Sequence, residues 1–373
     1  MSRIRVLVVD DSVVIRRLVS DVIDSDPELQ VVGTAANGRI ALTKVEQLQP
    51  DVITLDIEMP EMDGLATLRE LRDRHVRTPV IMFSTLTERA AAATLDALSL
   101  GAADYVTKPS NAGSTEVALQ RVRDDLIPKI KTFGRRSLGV MIATPLTRAA
   151  ARPAVAAPVR RPVLGARPRI QIVAIGTSTG GPNALEAVFR RLNPDIGVPV
   201  VVVQHMPPVF TKILADRLSA KTAWEVHEAA HGMRLEPAHA YVAPGDFHMM
   251  VEHTAFGLGR VVLDKGPAEN SCRPSVDVLF RSVAASHAAS ALGVVMTGMG
   301  QDGLRGCQML VAAGAEVIAQ DEATSVVWGM PGYVTRAGLA SEVLPLDTIP
   351  SAIERRVRQK AATGIAPQIR VQR

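Results

Sequence analysis

Short apolar runs alternate with helical patterns along nearly all of this 373-residue chain, and that alternation limits the fold more than any single motif. In the first third, 4–9, 31–35, 52–57, 80–83 and 104–107 read as strands. After the first of them, Val14, Leu18 and Val22 fall at i, i+4 and i+8, the stripe of a helix packed on a sheet. Five strand–helix units with short connections predict a parallel, doubly wound sheet. Further on, 170–175, 198–203, 241–243, 261–263, 292–296 and 316–319 are strand candidates. Val276, Leu279, Phe280 and Val283 show i, i+3, i+4, i+7 spacing, so this part is α/β as well. The expected fold class is therefore α/β, with two doubly wound parallel-sheet domains joined by a linker.

The join is legible as a change in charge. The segment 133–169 carries nine basic side chains when Lys131 is counted and no acid, and it is rich in Arg, Ala and Pro. Without an apolar period it buries too little surface to offset its ordering entropy, so it reads as an extended linker. The alternative, a basic arm for nucleic acid, is disfavoured by its interrupting prolines and by an aromatic content of 3% in the whole chain. The expected units are 1–124, a linker at 125–169, a second domain at 170–360 and a flexible tail at 361–373. Two cysteines, Cys272 and Cys307, make no disulfide framework and suggest a reducing compartment. No apolar run nears the roughly 18 residues of a membrane span, and the opening run is too short for a signal peptide. A cytoplasmic protein with no direct membrane insertion and no nucleic-acid partner is the expectation.

In open parallel sheets, ligands sit beyond the carboxyl ends of strands, where strand order reverses. Asp10 and Asp11 follow the first strand, and Asp56 ends the third. Three carboxylates together favour a hard cation such as Mg²⁺. Such a site can hold a phosphoryl donor while one carboxylate attacks it. Lys108, after the fifth strand, and Ser84, after the fourth, could pair with the new phosphate. Taken singly, an acid after a strand also serves as a helix cap and Lys-Pro as a surface turn. Val-Val-Asp-Asp-Ser, Leu-Asp-Ile-Glu-Met-Pro-Glu-Met-Asp-Gly and Tyr-Val-Thr-Lys-Pro together resemble the receiver domain of two-component response regulators over about 3–124. The resemblance implies a flavodoxin-like fold in which Asp56 accepts phosphate from a chemotaxis histidine kinase. It also implies that Asp10, Asp11, Asp56 and the carbonyl of Glu58 bind Mg²⁺, and that Ser84, Tyr105 and Lys108 report the phosphate.

Gly176-Thr177-Ser178-Thr179-Gly180-Gly181-Pro182 follows an apolar strand and opens a helix, matching the turn that exposes a nucleophilic serine. A glycine-rich turn with an incidental serine fits these residues equally well. His205 ends the next strand, and Asp302 follows 292–296, so a base and an orienting acid reach the same sheet edge. By spacing alone Asp246 competes with Asp302, and the pattern does not separate them. With Gln204-His205-Met206-Pro207, Arg273-Pro274-Ser275-Val276-Asp277 and Gly298-Met299-Gly300-Gln301-Asp302-Gly303, the region 170–350 resembles the catalytic domain of chemotaxis protein-glutamate methylesterases. That likeness implies a Rossmann-like domain with Ser178 as nucleophile, His205 as base and Asp302 as orienting acid. Backbone amides near Thr179 and Met299 would form the oxyanion hole, and the hydrolase reaction would need no cofactor. The implied substrates are methylated glutamates, and certain glutamines, on cytoplasmic domains of methyl-accepting chemoreceptors.

One rival motif remains. His227-Glu228-Ala229-Ala230-His231 satisfies H-E-x-x-H, a zinc-peptidase signature when it lies within a helix. Here Trp224, Val226 and Glu228 alternate as in a strand and Gly232 follows at once, so the match reads as chance. His239, His248, His253 and His287 are scattered and read as surface or core-edge groups. A DNA-reading output is disfavoured, since no compact basic helix-turn-helix segment is present.

Overall fold

The computed structural model describes residues 3–108, 115–137, 168–254 and 258–359. In the first domain the apolar runs become β1 (Ile4–Val9), β2 (Leu29–Ala35), β3 (Val52–Asp56), β4 (Val80–Ser84) and β5 (Asp104–Thr107). Helices α1 (Val13–Asp24), α2 (Gly38–Leu48), α3 (Gly64–Asp73) and α4 (Glu88–Ser99) return the chain, and α5 (Thr115–Ser137) closes the unit. The strands pair in parallel in the order β2-β1-β3-β4-β5. The turns into the first four helices are short because Ser12, Asn37, Asp63 and Thr87 each cap a helix start with a side-chain oxygen.

Two local expectations change. Val14 does not pack on the sheet: it is 72% exposed, and α1 buries Val19, Val22 and Ile23 instead. The helix enters from the Asp10–Asp11 turn with its first turn facing outward. Secondly, α5 continues past residue 124, because Leu126, Ile130 and Phe133 prolong an apolar stripe buried against the first sheet. Residues 125–137 are thus helix, while 138–167 and the tail 360–373 lie outside the described residues.

The second domain comprises β6 (Ile172–Thr177), α6 (Gly181–Arg191), β7 (Val200–Gln204), α7 (Phe210–Lys221), β8 (Glu225–Glu228) and β9 (His239–Val242). It continues through β10 (His248–Glu252), β11 (Arg260–Asp264), α8 (Val276–His287), β12 (Ala291–Val295), α9 (Leu304–Ala312) and β13 (Glu316–Gln320). It ends with α10 (Met330–Arg336), β14 (Glu342–Leu344) and α11 (Ile349–Arg358). Seven strands form one parallel sheet in the order β14-β13-β12-β6-β7-β9-β8. The expected strand at 261–263 is not in it. It belongs to β11, which pairs antiparallel with β10 as a separate ribbon beside α8.

Val276, Leu279, Phe280 and Val283 of α8 are fully buried on one side of this sheet. On the other side Leu185, Phe189 and Leu214 pack with Trp224, whose indole donates to the Leu192 carbonyl at 2.7 Å. That apolar layer runs on into the first domain. The Tyr105 ring stacks on Phe210 with centroids 5.0 Å apart, and Asn183 Nδ2 donates to the Leu98 carbonyl at 2.8 Å. Arg217 reaches Asp96 at 2.5 Å and Ser99 at 2.8 Å. Among the described residues, no helix is long and apolar enough to cross a membrane.

Phe280→Ala is expected to destabilise the second domain by about 3–5 kcal/mol through loss of burial and the cavity left behind. Urea unfolding followed by tryptophan fluorescence measures this directly, because Trp224 and Trp328 are the only tryptophans and both lie there.

Candidate active site

Ser178, His205 and Asp302 follow three neighbouring strands, β6, β7 and β12, with β6 central and strand order reversing around it. The turn after β6 is pinned by main-chain bonds. The Ser178 amide donates to the Thr297 carbonyl at 3.0 Å, and the Ser178 carbonyl accepts from Gly181 at 2.7 Å and from Gln204 Nε2 at 3.0 Å. Gly180 takes φ +77°, which lets α6 start at once behind the serine. Gly298 allows the neighbouring loop to pass closely: a Cβ there would sit 2.9 Å from Ser178 Cβ. The amides of Thr179 and Met299 donate to no acceptor among the described residues, and both residues line the cavity that Ser178 faces.

Asp302 is the acid on the imidazole. Its Oδ2 lies 2.8 Å from His205 Nε2. The carboxylate sits at the N-terminus of α8, accepting from the amides of Val276 at 2.7 Å and Asp277 at 3.1 Å. Ser275 Oγ and Asn270 Nδ2 donate at 2.8 Å each, and Gly303 N at 3.0 Å. Burial opposes its charge, but His205 and these donors prevail and hold Asp302 below the ordinary carboxylate range, at about 2. Asp246, the competing acid by spacing, pairs instead with Arg273 and, at 3.6 Å, with Lys265.

With Nε2 committed to Asp302, only Nδ1 of His205 can serve Ser178. In this structure Nδ1 faces Cys272 Sγ at 3.5 Å, and no hydrogen bond joins it to the Ser178 hydroxyl. Burial disfavours the imidazolium, but the Asp302 bond and the Cys272 sulfur outweigh it and raise the ring's pKa. The hydroxyl and imidazole therefore line one cleft with the Asp302 carboxylate buried behind the ring, and the first link of the relay is unmade. Cys272 and Asn270 were not found by reading the sequence. The only signal was their place just before Arg273-Pro274-Ser275, the lead-in to the helix that grips Asp302.

The first domain completes this cleft. A cavity of about 750 Å³ is lined by Ser178, Thr179, His205 and Met299 from one side and by Tyr105 and Lys129 from the other. Thr179 Oγ1 donates to the buried Asp104 carboxylate of β5 at 2.9 Å. Tyr105 lies beneath the second domain, stacked on Phe210, and not on an exposed face.

At the carboxyl edge of the first sheet, oxygens of Asp10, Asp11 and Asp56 converge within 4.8 Å of one another. Lys108 Nζ lies 2.8 Å from Asp10 Oδ2 and 2.7 Å from Asp56 Oδ2, though neither buried oxygen has an aligned hydrogen-bond donor. Hard oxygen ligands with spare lone pairs suit Mg²⁺. Glu58 and Thr85 line the same 260 Å³ pocket. Ser84 does not: its hydroxyl is fully buried and bonded to Thr94 at 2.8 Å. The zinc-peptidase motif does not assemble, since His227 lies on β8 and His231 Nδ1 accepts from the Leu263 amide at 3.2 Å.

Comparison with known proteins finds relatives of both domains. A family model described as "CheB methylesterase" matches residues 173–353, and one described as "Response regulator receiver domain" matches 6–120. A Nocardioides protein named protein-glutamate methylesterase/protein-glutamine glutaminase is 52% identical over 367 residues, covering 96% of this chain and 97% of its own length. The chain belongs to this methylesterase/glutaminase family. A relative of the same name from Trichodesmium erythraeum is 47% identical, with 96% of this chain and 100% of that protein covered. The crystal structure of the Thermotoga maritima CheB methylesterase catalytic domain matches with 41% identity, covering 50% of this chain and 98% of that one, at a TM-score of 0.49. The receiver of this methylesterase family depends in general on Mg²⁺ for phosphorylation, and its acidic pocket has the donor set for it.

Burial, with the Asp10 charge adding and Lys108 opposing, drives the Asp56 carboxyl up to about 6. Native protein then holds a proton that the unfolded chain releases near pH 4, so stability falls as pH rises from about 4 to 6. Asp56→Asn should be more stable than wild type by about 1–3 kcal/mol above pH 6 in Mg²⁺-free buffer, and no different below pH 4. Urea titrations across that range check it; a constant offset at all pH values would contradict it.

Proposed function

We propose that the chain is a phosphorylation-controlled serine hydrolase that demethylates glutamyl methyl esters on chemoreceptor cytoplasmic domains, releasing methanol, and deamidates certain receptor glutamines. The observation that carries this reading is that His205, bonded to the buried Asp302, lines one cleft with Ser178 at the reversal point of the sheet. Ser178 Oγ attacks the ester carbonyl while its proton passes to His205 Nδ1. The Thr179 and Met299 amides stabilise the oxyanion, and the proton leaves with methoxide as methanol. Water, deprotonated at the same nitrogen, cleaves the glutamyl-enzyme to free carboxylate and restores Ser178. With a glutamine the leaving group is ammonia, so proton delivery to nitrogen matters more.

Control follows from the closed cleft. A receptor helix cannot reach Ser178 while β5 lies across it, and His205 does not take the serine proton while Nδ1 faces Cys272. Asp56 takes phosphate from a chemotaxis histidine kinase. Asp10, Asp11, Asp56 and the Glu58 carbonyl would hold Mg²⁺, which neutralises phosphoryl charge when bound. The new phosphate competes for Lys108, draws on the Thr85 or Ser84 hydroxyl, and shifts the population toward a state in which β5 releases Thr179. The regulatory unit ends near residue 137, the hydrolase spans about 170–360, and the arginine-rich segment joins them. Both kinase and receptor tails place the reaction in the cytoplasm.

Ser178→Ala should abolish methanol release from methylated receptor membranes; undiminished release would reject the nucleophile. Asp104→Asn removes the acceptor charge from the Thr179 contact. It should raise activity without phosphodonor about five- to tenfold, the equivalent of about 1 kcal/mol for one hydrogen bond. Unchanged basal activity with full stimulation by a small phosphodonor would separate that contact from control.

A further inference from the structure

Strands β8 and β9 run parallel at one edge of the large sheet, with Glu225 opposite His239 and His227 opposite Tyr241. Residues two apart on a strand share a face, so Glu225, His227 and His239 project together. His227 Nε2 and His239 Nδ1 lie 3.0 Å apart, and Glu225 Oε1 is 3.5 Å from His227 Nε2. In a tetrahedral zinc site with bonds of about 2.0–2.1 Å, ligand atoms stand about 3.3 Å from one another. These two separations bracket that value, and one ligand atom from each of Glu225, His227 and His239 lies within 4.8 Å of the others.

The surroundings support the same arrangement. His239 Nε2, its other ring nitrogen, lies 3.9 Å from Glu236 Oε2. A carboxylate beside the second imidazole nitrogen is the outer partner that fixes ring orientation in metal-bound histidines. Glu236 is brought there by Tyr241, whose hydroxyl accepts from the Glu236 amide at 2.9 Å and donates to the Arg234 carbonyl at 3.0 Å. On the opposite face of β8, Val226 is buried, which holds the strand in register. Glu225 is 63% exposed, leaving room for water as a further ligand.

We propose that Glu225, His227 and His239 form a binding site for a borderline transition-metal dication, Zn²⁺ foremost, that clips the edge strand β8 to β9. Two imidazoles with one carboxylate favour Zn²⁺ over Mg²⁺ or Ca²⁺. The site uses one histidine of the H-E-x-x-H motif, but with a partner from the next strand in place of His231. It is independent of the hydrolase reading, lying on β8 and β9, whereas Ser178 and His205 follow β6 and β7.

The test is calorimetric titration of the full chain, freed of metal by a chelator, with Zn²⁺ in excess Mg²⁺. The proposal expects one bound equivalent in wild type, loss of that equivalent in His239→Gln, and its retention in Cys272→Ser. Glu225→Gln, at an exposed position that leaves the fold intact, should weaken binding about tenfold. Zinc should also raise Tm in wild type and not in His239→Gln. No uptake by wild type, uptake unaffected by both His239→Gln and Glu225→Gln, or uptake lost only in Cys272→Ser would overturn it. The last result would assign the ion to the cleft between His205 and Cys272.

Discussion

A buried carboxylate at the head of a helix governs the second domain. Asp302 is taken out of water by the fold, and it remains an anion because α8 presents two amides to it while Ser275, Asn270 and Gly303 supply further donors. Those bonds leave the carboxylate no freedom to rotate, so the imidazole resting on it has a fixed plane and a fixed tautomer. The dense apolar face of α8 is the other half of this arrangement. Val276 and Phe280 anchor the helix to the sheet, and the amide-bearing end inherits that rigidity. Packing in the core thus sets the orientation of a single nitrogen in the cleft.

The same logic links the domains. The receiver's acidic pocket and the cleft lie within one short strand's reach: Lys108 follows β5, while Asp104 and Tyr105 at its start touch Thr179 and Phe210. Asp104 is buried, which raises its pKa, and Lys129 opposes this from 3.4 Å. A contact between a buried carboxyl group and a hydroxyl beside Ser178 is sensitive to small displacements, because both groups are largely withdrawn from water. A modest movement of β5 is therefore sufficient to alter what surrounds Ser178.

Much of this was legible from residues alone, for a physical reason. Strands buried on both faces are written as unbroken Val, Ile and Leu runs, and parallel sheets bring the residues after those runs to one edge. Asp10, Asp56, Lys108, Ser178, His205 and Asp302 were therefore readable as edge residues. Pattern did not reveal contacts made across loops, such as Cys272 on His205, nor the preference of His205 for Asp302 over Asp246. Helix periodicity also misplaced Val14, since a stripe gives the direction of a face but not where the sheet beneath it ends. The reach of α5 beyond 124 was obscured because its apolar positions are interleaved with Lys, Arg and an internal Pro128. The meeting of His227 with His239 depends on parallel register between two strands, which no local pattern encodes.

Tyr105 and Lys129 form the far wall of the cleft that Ser178 faces. Exclusion of this kind is reciprocal. If β5 must leave for a receptor segment to enter, then a segment already seated holds β5 away, by the same free energy. Abundant substrate would consequently make the acidic pocket easier to load with phosphate, and scarce substrate would make the enzyme harder to arm. On that condition, the shape of a single interdomain wall would tie the enzyme's readiness to its workload.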